Sequence, residues 1–292
     1  MKIKQSPGEK AFNGINVILL MLLCLAILYP VLHILYASMS NSTLLMKHEG
    51  LLAHPLGFSM AAYSSVFQNP NVFTGYANTL FVVIVGTALN IFLTLLAAYV
   101  LSRKDVMLNG FLTILIILTM YFSGGTIPFF LVVKAVGLYN NLWSLILPTA
   151  VNTFNLIIMR TAMAAVPESL IESVQLDGAS HLTILFQIVM PLTKATVAVL
   201  VLYYGVGHWN EWFNAMIFLK DRIKFPLQLI LREILIENDT TSMTAGSGND
   251  AFVVGESAKY ATIVVATLPI LCVYPFIQRY FVKGVMIGAV KG

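Results

Sequence analysis

Six long apolar stretches dominate the sequence and decide what it can fold into. Each is close to the length of about 20 residues that a helix needs to cross a hydrocarbon core about 30 Å thick. A backbone inside that core must satisfy its own hydrogen bonds, which favours helices. The predicted spans are Ile15–Ala37, Asn78–Leu101, Gly110–Val133, Leu142–Met159, Ala195–Leu219 and Tyr260–Val282.

The composition supports a membrane protein. Hydrophobic residues make up 58% of the chain and charged residues only 10%, whereas about 25% of the residues in an ordinary soluble domain are charged. A water-soluble protein of this length would have too few charges to cover its surface. The composition therefore excludes a cytosolic enzyme, a disordered chain and a secreted disulfide scaffold. The sequence predicts an all-α membrane protein of six transmembrane helices.

The positions of lysine and arginine predict the orientation. With the N-terminus inside, ten of the 17 cationic residues fall in inner segments, including Arg103 and Lys104 in a short loop. We therefore expect a multi-pass protein of the plasma or inner membrane with both termini in the cytoplasm. The expected parts are a cytoplasmic segment 1–14, a membrane domain 15–283 with long outer loops 38–77 and 220–259, and a cytoplasmic tail 284–292.

Motifs of known chemistry are missing from the sequence. There is no G-x-x-x-x-G-K-[ST] phosphate loop and no H-E-x-x-H, and the five histidines are scattered. The net charge is +4, but the cationic residues flank the apolar segments and form no continuous patch that would bind nucleic acid. We therefore expect no catalytic residue, no metal site, no cofactor bound by this chain, and no nucleic-acid partner.

The loop of about residues 160–191, between the fourth and fifth spans, is unusual. Pro167 suits the first position of a helix and Glu168 suits its first turn, while Gly178 can take a positive φ and end that helix. The predicted apolar side of the helix holds Leu170, Ile171, Val174 and Leu176. It could lie on lipid headgroups, but such helices are usually basic and this one is acidic. An apolar stripe with carboxylates also suits docking into a groove of another protein.

The residues Glu172-Ser-Val-Gln-Leu-Asp177-Gly178-Ala179, with Ile188 and Pro191 downstream, resemble the EAA motif of importer-type ABC transporter permeases. His208-Trp-Asn-Glu-Trp-Phe and the tail 278–292 resemble the carbohydrate-uptake branch, on the side of the second membrane subunit of the maltose transporter. The segments 122–128 and 155–160 resemble the lipoprotein/polysaccharide-type permeases. The resemblance covers nearly the whole chain.

The resemblance implies the type I ABC importer permease fold, with a cytoplasmic coupling helix seated in a cleft of a separate ATP-hydrolysing subunit. Glu172 would then face basic groups of that subunit, and Asp177 would help to fix the turn. The sequence departs from the motif at Ser173 and Val174, where alanines would stand. The implied coupling residues are Glu172, Ser173, Asp177, Gly178, Ala179 and Pro191.

The same resemblance implies the partners. They are a second homologous permease subunit, two ATP-binding subunits that would hold ATP and Mg, an extracytoplasmic solute-binding protein, membrane lipid, and an oligosaccharide or polysaccharide fragment as substrate. A permease for a non-sugar solute is an alternative. An ion-coupled secondary transporter would predict inverted repeats and several ionisable residues at the midplane, and a membrane scaffold would leave the turn at Gly178 without a role.

Two segments are candidates for the substrate pathway. Glu211 is the only acidic residue within a predicted span, and it lies among aromatic and amide side chains that suit a sugar route or, equally, mark the outer interface. Residues 123–128 interrupt the third span, as a break that lines a pathway or as a plain kink. The candidate residues are Tyr121, Ser123, Gly124, Gly125, Trp209, Asn210, Glu211, Trp212 and Asn214. Nearby His208 is interpreted as a hydrogen-bonded packing residue.

Overall fold

The computed structural model describes residues 6–236, 256–272 and 275. Within these ranges the regular structure is helical, with one isolated β-bridge between Ser40 and Phe58. The helices are α1 (Pro7–Ser38), α2 (Ser42–Lys47), α3 (Ala61–Gln68), α4 (Pro70–Ser102), α5 (Asn109–Tyr121), α6 (Thr126–Ala135), α7 (Thr153–Ala164), α8 (Glu168–Leu176), α9 (His181–Leu192), α10 (Lys194–Trp209), α11 (Phe213–Phe218), α12 (Leu227–Ile236) and α13 (256–272).

Some predicted parts lie outside the described residues. These are the first residues of the N-terminal segment, the centre of the second long loop, the end of the sixth span and the tail 284–292. In the described part, α1 and α4 are each long and apolar enough to cross a membrane, and three bent helix pairs bring the possible number of crossings to five. The six-span count therefore stays a prediction.

The chain divides into two compact units. The described residues of the first are 6–69, 233–236 and 256–267. Its α1 begins with a capping box, in which the Glu9 N–H donates to Ser6 Oγ (3.2 Å) and the Ser6 N–H donates to the Glu9 carboxylate (2.7 Å). Along most of its length α1 exposes leucine, isoleucine and valine side chains, as a helix in lipid does.

The second unit holds residues 70–232, 268–272 and 275 and is built around α4, which packs against α7 and α10. Its buried side chains form two clusters along α4, one at its C-terminal end and one near its middle. One surrounds Tyr99 and includes residues of α7, α9 and α10. The other surrounds Val82 and includes residues of α6, α11 and α12. These two clusters fix the positions of the segments discussed below.

The predicted outer loop 38–77 is largely helical. Helix α4 begins at Pro70, eight residues before the predicted span Asn78–Leu101, so the loop contains α2, α3 and the first turns of α4. Helix α12 packs against α4, because Leu227 and Ile230 are buried and lie against Gly75 of α4. A Cβ at Gly75 would lie 2.6 Å from Ile230 Cδ1, so the missing side chain permits this close packing.

The predicted third, fourth and fifth spans are not straight. The third breaks between α5 and α6, as residues 123–128 predicted, and the chain bends by 114° between the two helices. The fourth begins as 3₁₀ turns at Leu142–Leu145 and Leu147–Thr149 before α7. The fifth ends its long helix at Trp209 and resumes as α11 at Phe213. Hydropathy alone does not reveal this last break, because the break residues are flanked by apolar sequence.

Candidate functional site

The first candidate site is the elbow, which we define as residues 167–183. Helix α8 forms its first arm and starts at Glu168. Pro167 lies one position before the helix, with φ −57° and ψ 131°, and not at the first helical position as predicted. Its fixed φ still sets the direction in which the chain enters α8, and its missing N–H removes an unpaired donor from the helix start.

A Schellman motif ends α8 at Gly178. The Gly178 N–H donates to Gln175 O (2.9 Å), and the Ala179 N–H donates to Val174 O (3.2 Å). Gly178 has a φ of +81°, and no heavy atom outside its neighbours lies within 4 Å of the position of an added Cβ. The turn therefore requires glycine because of its backbone conformation and not because space is short, which confirms the predicted turn.

The two sides of α8 differ from the predicted stripe. Ile171 is 3% exposed and reaches the cluster around Tyr99, and Val174 is partly buried against the same cluster. Leu170 and Leu176, however, are 40% and 89% exposed. Successive helical residues turn by about 100°, so Leu176 points away from Ile171 and Val174, whereas Leu170 lies beside Val174 at the edge of the buried side. Leu176 lies one turn after the exposed Glu172 on the outward surface of α8.

The other predicted coupling residues lie in or after this turn. The Ser173 hydroxyl donates to Ser169 O (2.8 Å) within α8, and Asp177 gives its backbone N–H to Ser173 O (3.3 Å). Ala179 is half-buried after the turn. Pro191 lies further along, in α9, after a π-helical turn at Ile184–Val189. The structure thus brings these residues to one end of the second unit, with Pro191 outside the elbow itself.

Two side-chain contacts of the elbow were not predicted. Lys104 Nζ lies 2.9 Å from Glu168 Oε2, and Tyr99 Oη lies 3.3 Å from His181 Nδ1. The hydrogen bond and charge of Lys104 lower the pKa of Glu168, and Glu168 in turn raises the pKa of Lys104. Sequence reasoning missed these pairs because their members are 64 and 82 residues apart.

The first group of pathway candidates lies at the break between α5 and α6. Tyr121, Ser123, Gly124 and Gly125 are all exposed. Gly125 has a φ of +84° and its N–H donates to Ser123 Oγ (3.2 Å). Glycine is suited to this position, since L side chains rarely adopt such a φ. The backbone of the break is therefore exposed at a sharp bend of the chain.

The second group lies at the break between α10 and α11. Trp209 is 6% exposed, its ring meets Tyr76 edge-on at 6.3 Å between centroids, and its indole N–H has no hydrogen-bond partner among the described residues. Glu211 Oε1 accepts the N–H of Asn214 (3.1 Å) and so caps the first turn of α11. Asn210 donates its amide to Val206 O (3.0 Å). Both polar side chains thus stabilise the helix ends beside the break.

Arg232 is a further residue of this region that the sequence did not assign. Its guanidinium carbon lies 5.1 Å from the ring centroid of Trp212, a cation–π geometry. Trp212 is 39% exposed and Arg232 is partly buried, so an accessible aromatic side chain has a cation beside it. The only signal in the sequence was an arginine within the apolar pattern of α12.

Buried polar side chains connect α4 to its neighbours. His208 Nε2 lies 2.7 Å from Asn90 Oδ1, and the Asn90 amide donates to Thr149 O (2.7 Å) and Ala150 O (2.8 Å). Thr94 Oγ1 lies 2.8 Å from the hydroxyl of Tyr204. His208 is therefore a hydrogen-bonded packing residue, as interpreted.

At the opposite end of α4 from the elbow, Asn140, Asp221 and Lys224 form a cluster that we call the Asn140 clasp. Asn140 has a φ of 59° and its Oδ1 accepts the N–H groups of Lys220 and Asp221 (3.1 Å each). Asp221 Oδ2 accepts from the Asn140 amide (2.7 Å) and from Lys224 Nζ (2.9 Å). These hydrogen bonds hold the pKa of Asp221 below its ordinary value of 3.8.

The clasp leads to a pH prediction. Because the pKa of Asp221 is lowered on folding, its contribution is complete above the ordinary value and disappears as the pH falls through the lowered one. We expect wild type to unfold at a slightly higher temperature than Asp221→Asn at neutral pH and at about pH 5. The difference should vanish only in stronger acid, in thermal unfolding of the purified protein. A difference that already disappears near pH 5, or that Asp105→Asn reproduces, would contradict the assignment to the clasp.

Comparison with known proteins identifies the family. Residues 55–287 match the family model described as the inner membrane component of binding-protein-dependent transport systems. The chain belongs to this family. No group of three or more His, Cys, Asp or Glu side chains in the described part of this permease is placed to hold a metal ion.

Individual relatives extend over nearly the whole permease. It is 41% identical over 278 residues to the polygalacturonan/rhamnogalacturonan transport system permease protein YtcP of Bacillus subtilis (strain 168), covering 94% of this chain and 96% of that one. It is 25% identical over 294 residues to the arabinooligosaccharides transport system permease protein AraQ of the same organism, covering 99% and 100%.

A solved structure shows the same fold. It is the crystal structure of a bacterial ABC transporter involved in the import of the acidic polysaccharide alginate, which matches with a TM-score of 0.86 and 30% identity over 96% of this chain and 100% of that one. The permease therefore has the all-α fold of a type I ABC importer permease, and it is a membrane transport subunit rather than an enzyme. Both predictions are confirmed.

Proposed function

We propose that this permease passes oligosaccharide fragments of an acidic polysaccharide across the membrane, driven by ATP hydrolysis in separate subunits. The relative YtcP is named for polygalacturonan and rhamnogalacturonan transport, and the solved neighbour for alginate import. Sugars of these kinds carry carboxylates on a ring with apolar faces. The partly exposed ring of Trp212, with the positive charge of Arg232 beside it, offers an aromatic face in a cationic setting to such a sugar.

The observation that carries the coupling to ATP hydrolysis in a separate subunit is the outward surface of the elbow. Leu176 is almost fully exposed at the end of α8, next to the exposed Glu172, while Ile171 is buried on the other side of the same helix. An exposed leucine and a carboxylate on a short helix suit a groove of an ATP-binding subunit with basic groups. Glu172, Ser173, Asp177, Gly178, Ala179 and Pro191 stay the proposed coupling residues, and ATP and Mg would bind the partner.

The remaining partners follow from the same assignment. The elbow would lie in the cytoplasm with both termini, and the Asn140 clasp on the outer side, where a solute-binding protein delivers the sugar. A second permease subunit would complete the pathway. The breaks at Tyr121–Gly125 and Trp209–Asn214 are proposed to line it, because interrupted helices at membrane depth occur where backbone faces a cavity or packed protein.

The mechanism is alternating access. ATP would draw the two nucleotide-binding subunits together, and the elbows seated on them would move with them, so that the helices tilt from inward-open to outward-open. The loaded solute-binding protein contributes only by preferring one of these states, since a ligand shifts a conformational equilibrium through its differential affinity. The sugar is released inward when ATP hydrolysis reverses the movement.

Uptake by the purified complex tests the proposal. The permease with its partner subunits in proteoliposomes, supplied with the solute-binding protein, is expected to accumulate labelled oligogalacturonate only when ATP is present on the nucleotide-binding side. Unlabelled oligogalacturonate should compete with uptake far more strongly than a neutral arabino-oligosaccharide of equal length, because only the acidic sugar carries the carboxylates of the proposed cargo.

Other outcomes separate the alternatives. Preferred uptake of the neutral oligosaccharide would contradict the acidic cargo. Uptake that depends on an ion gradient and not on ATP would indicate a secondary transporter. A chain that co-purifies without any subunit carrying a phosphate loop would contradict coupling through the elbow.

A further inference from the structure

We propose that the pairs Lys104–Glu168 and Tyr99–His181 are the two ties through which movement of the elbow reaches helix α4. This inference rests on the proposed function, because it concerns how a displaced elbow drives the transport helices. The two contacts involve side chains outside the motif that implied the coupling residues.

The geometry places one tie on each arm of the elbow. Glu168 begins α8, and His181 begins α9 after the turn at Gly178. Their partners Lys104 and Tyr99 lie at the end of α4 or just after it, with Nζ···Oε2 at 2.9 Å and Oη···Nδ1 at 3.3 Å. Two ties on separate arms resist rotation of the elbow about either one.

A third contact lies between them. Ile171 is buried in the cluster that contains Tyr99 and Leu101 of α4 and Leu185 of α9. An apolar contact resists separation but permits sliding, because it is not directional. The hydrogen bonds supply the direction that the buried contact lacks, so the elbow and the end of α4 are expected to move as one body.

The end of α4 is itself braced. The Arg103 guanidinium lies 5.3 Å from the ring centroid of Tyr99, and its Nη2 donates to Met163 O of α7 (3.3 Å). Arg160 of α7 donates through Nε to Leu101 O (2.9 Å). A pull on Tyr99 is therefore shared with α7 and does not simply unwind the last turn of α4.

From this end, α4 can carry the movement along its length. Thr94 is bonded to Tyr204 and Asn90 to His208, both on α10. Near the other end of α4, Asn78 donates to Ile223 O (2.8 Å) and Thr79 Oγ1 accepts the N–H of Leu227 (2.9 Å). Hydrogen bonds thus connect α4 to its neighbours at several positions along its length. The two ties join the elbow to the end of α4 where this series begins.

Charge exchange at the exposed tie provides the test. The assembled complex is prepared with Lys104→Glu, with Glu168→Lys and with both changes, and oligogalacturonate uptake and ATP hydrolysis are measured in the same proteoliposomes. Each single change places like charges together and is expected to lower uptake per ATP by about fivefold, at the lower end of coupling effects between sites. The double change restores the pair and should return the ratio to within about twofold of wild type.

The matched control is Asp105→Lys, a charge reversal at the next exposed residue of the same loop, which should leave the ratio unchanged. Tyr99→Phe tests the second tie, because it removes the hydroxyl and keeps the ring under Arg103; it should also lower uptake per ATP. Since Lys104 and Glu168 are exposed, the variants are expected to assemble normally.

Single variants with the wild-type ratio, or a double variant that fails to recover, would overturn the inference. Both results require a wild-type complex that shows ATP-driven uptake in the same assay. A wild-type complex without ATP-driven uptake would instead contradict the proposed function, so the two failures are distinguishable.

Discussion

Gly178→Val is expected to abolish most ATP-driven uptake while leaving membrane insertion intact. Valine at a φ of +81° places Cβ against its own backbone, which costs about 1–2 kcal/mol. The Schellman bonds from Gly178 and Ala179 would open to relieve this strain, and the outward surface with Leu176 would turn away from its partner. Uptake per ATP in proteoliposomes should fall by about tenfold or more, since 1.4 kcal/mol corresponds to a factor of ten.

Two control variants separate backbone conformation from added volume. Gly178→Asn adds a side chain, but asparagine visits the left-handed region more readily, so much of the activity should remain. Gly110→Val adds the same side chain as the test variant at a glycine with equally open surroundings and no positive φ. Normal coupling in Gly178→Val, or equal losses in all three variants, would contradict a role for the turn conformation.

The long helices and the elbow could be predicted because their causes are local. Helices α1 and α4 follow from uninterrupted apolar sequence, and the turn at Gly178 follows from a glycine after an amphipathic pattern. The break at residues 123–125 is also local, because adjacent glycines weaken a helix. These features depend on neighbours within a few residues, which a single sequence displays.

The remaining features depend on residues far apart in the chain. Lys104 meets Glu168 across 64 positions, and Asn90 meets His208 across 118. The break after Trp209 contains no glycine or proline and depends on caps such as that of Glu211. The orientation of Leu170 and Leu176 depended on which side of α8 the core occupies, which Ile171 decides. Such contacts are set by tertiary packing, and one sequence carries no direct sign of them.

Asn90→Leu is expected to cause a large loss of stability. Asn90 is fully buried, and leucine would remove three hydrogen bonds and leave His208 and the carbonyls of Thr149 and Ala150 without this partner. Side-chain hydrogen bonds in membrane proteins average about 0.6 kcal/mol each, and unpaired buried groups add to the cost. We expect about 2–3 kcal/mol, measured as a lower unfolding temperature of the purified permease in detergent. Asn210→Leu, at an exposed asparagine, should change stability far less.

Gly86→Ala tests the same cluster from the other side. A Cβ at Gly86 would lie 2.6 Å from His208 Nε2, so the buried imidazole must shift away from Asn90. Alanine at this position should therefore reproduce much of the Asn90→Leu effect, although it removes no polar group. Because both changes break the same hydrogen bond, the double variant should lose less than the two single losses combined. Full additivity, or an unchanged unfolding temperature in Gly86→Ala, would show that the bond between Asn90 and His208 does not stabilise the contact between α4 and α10.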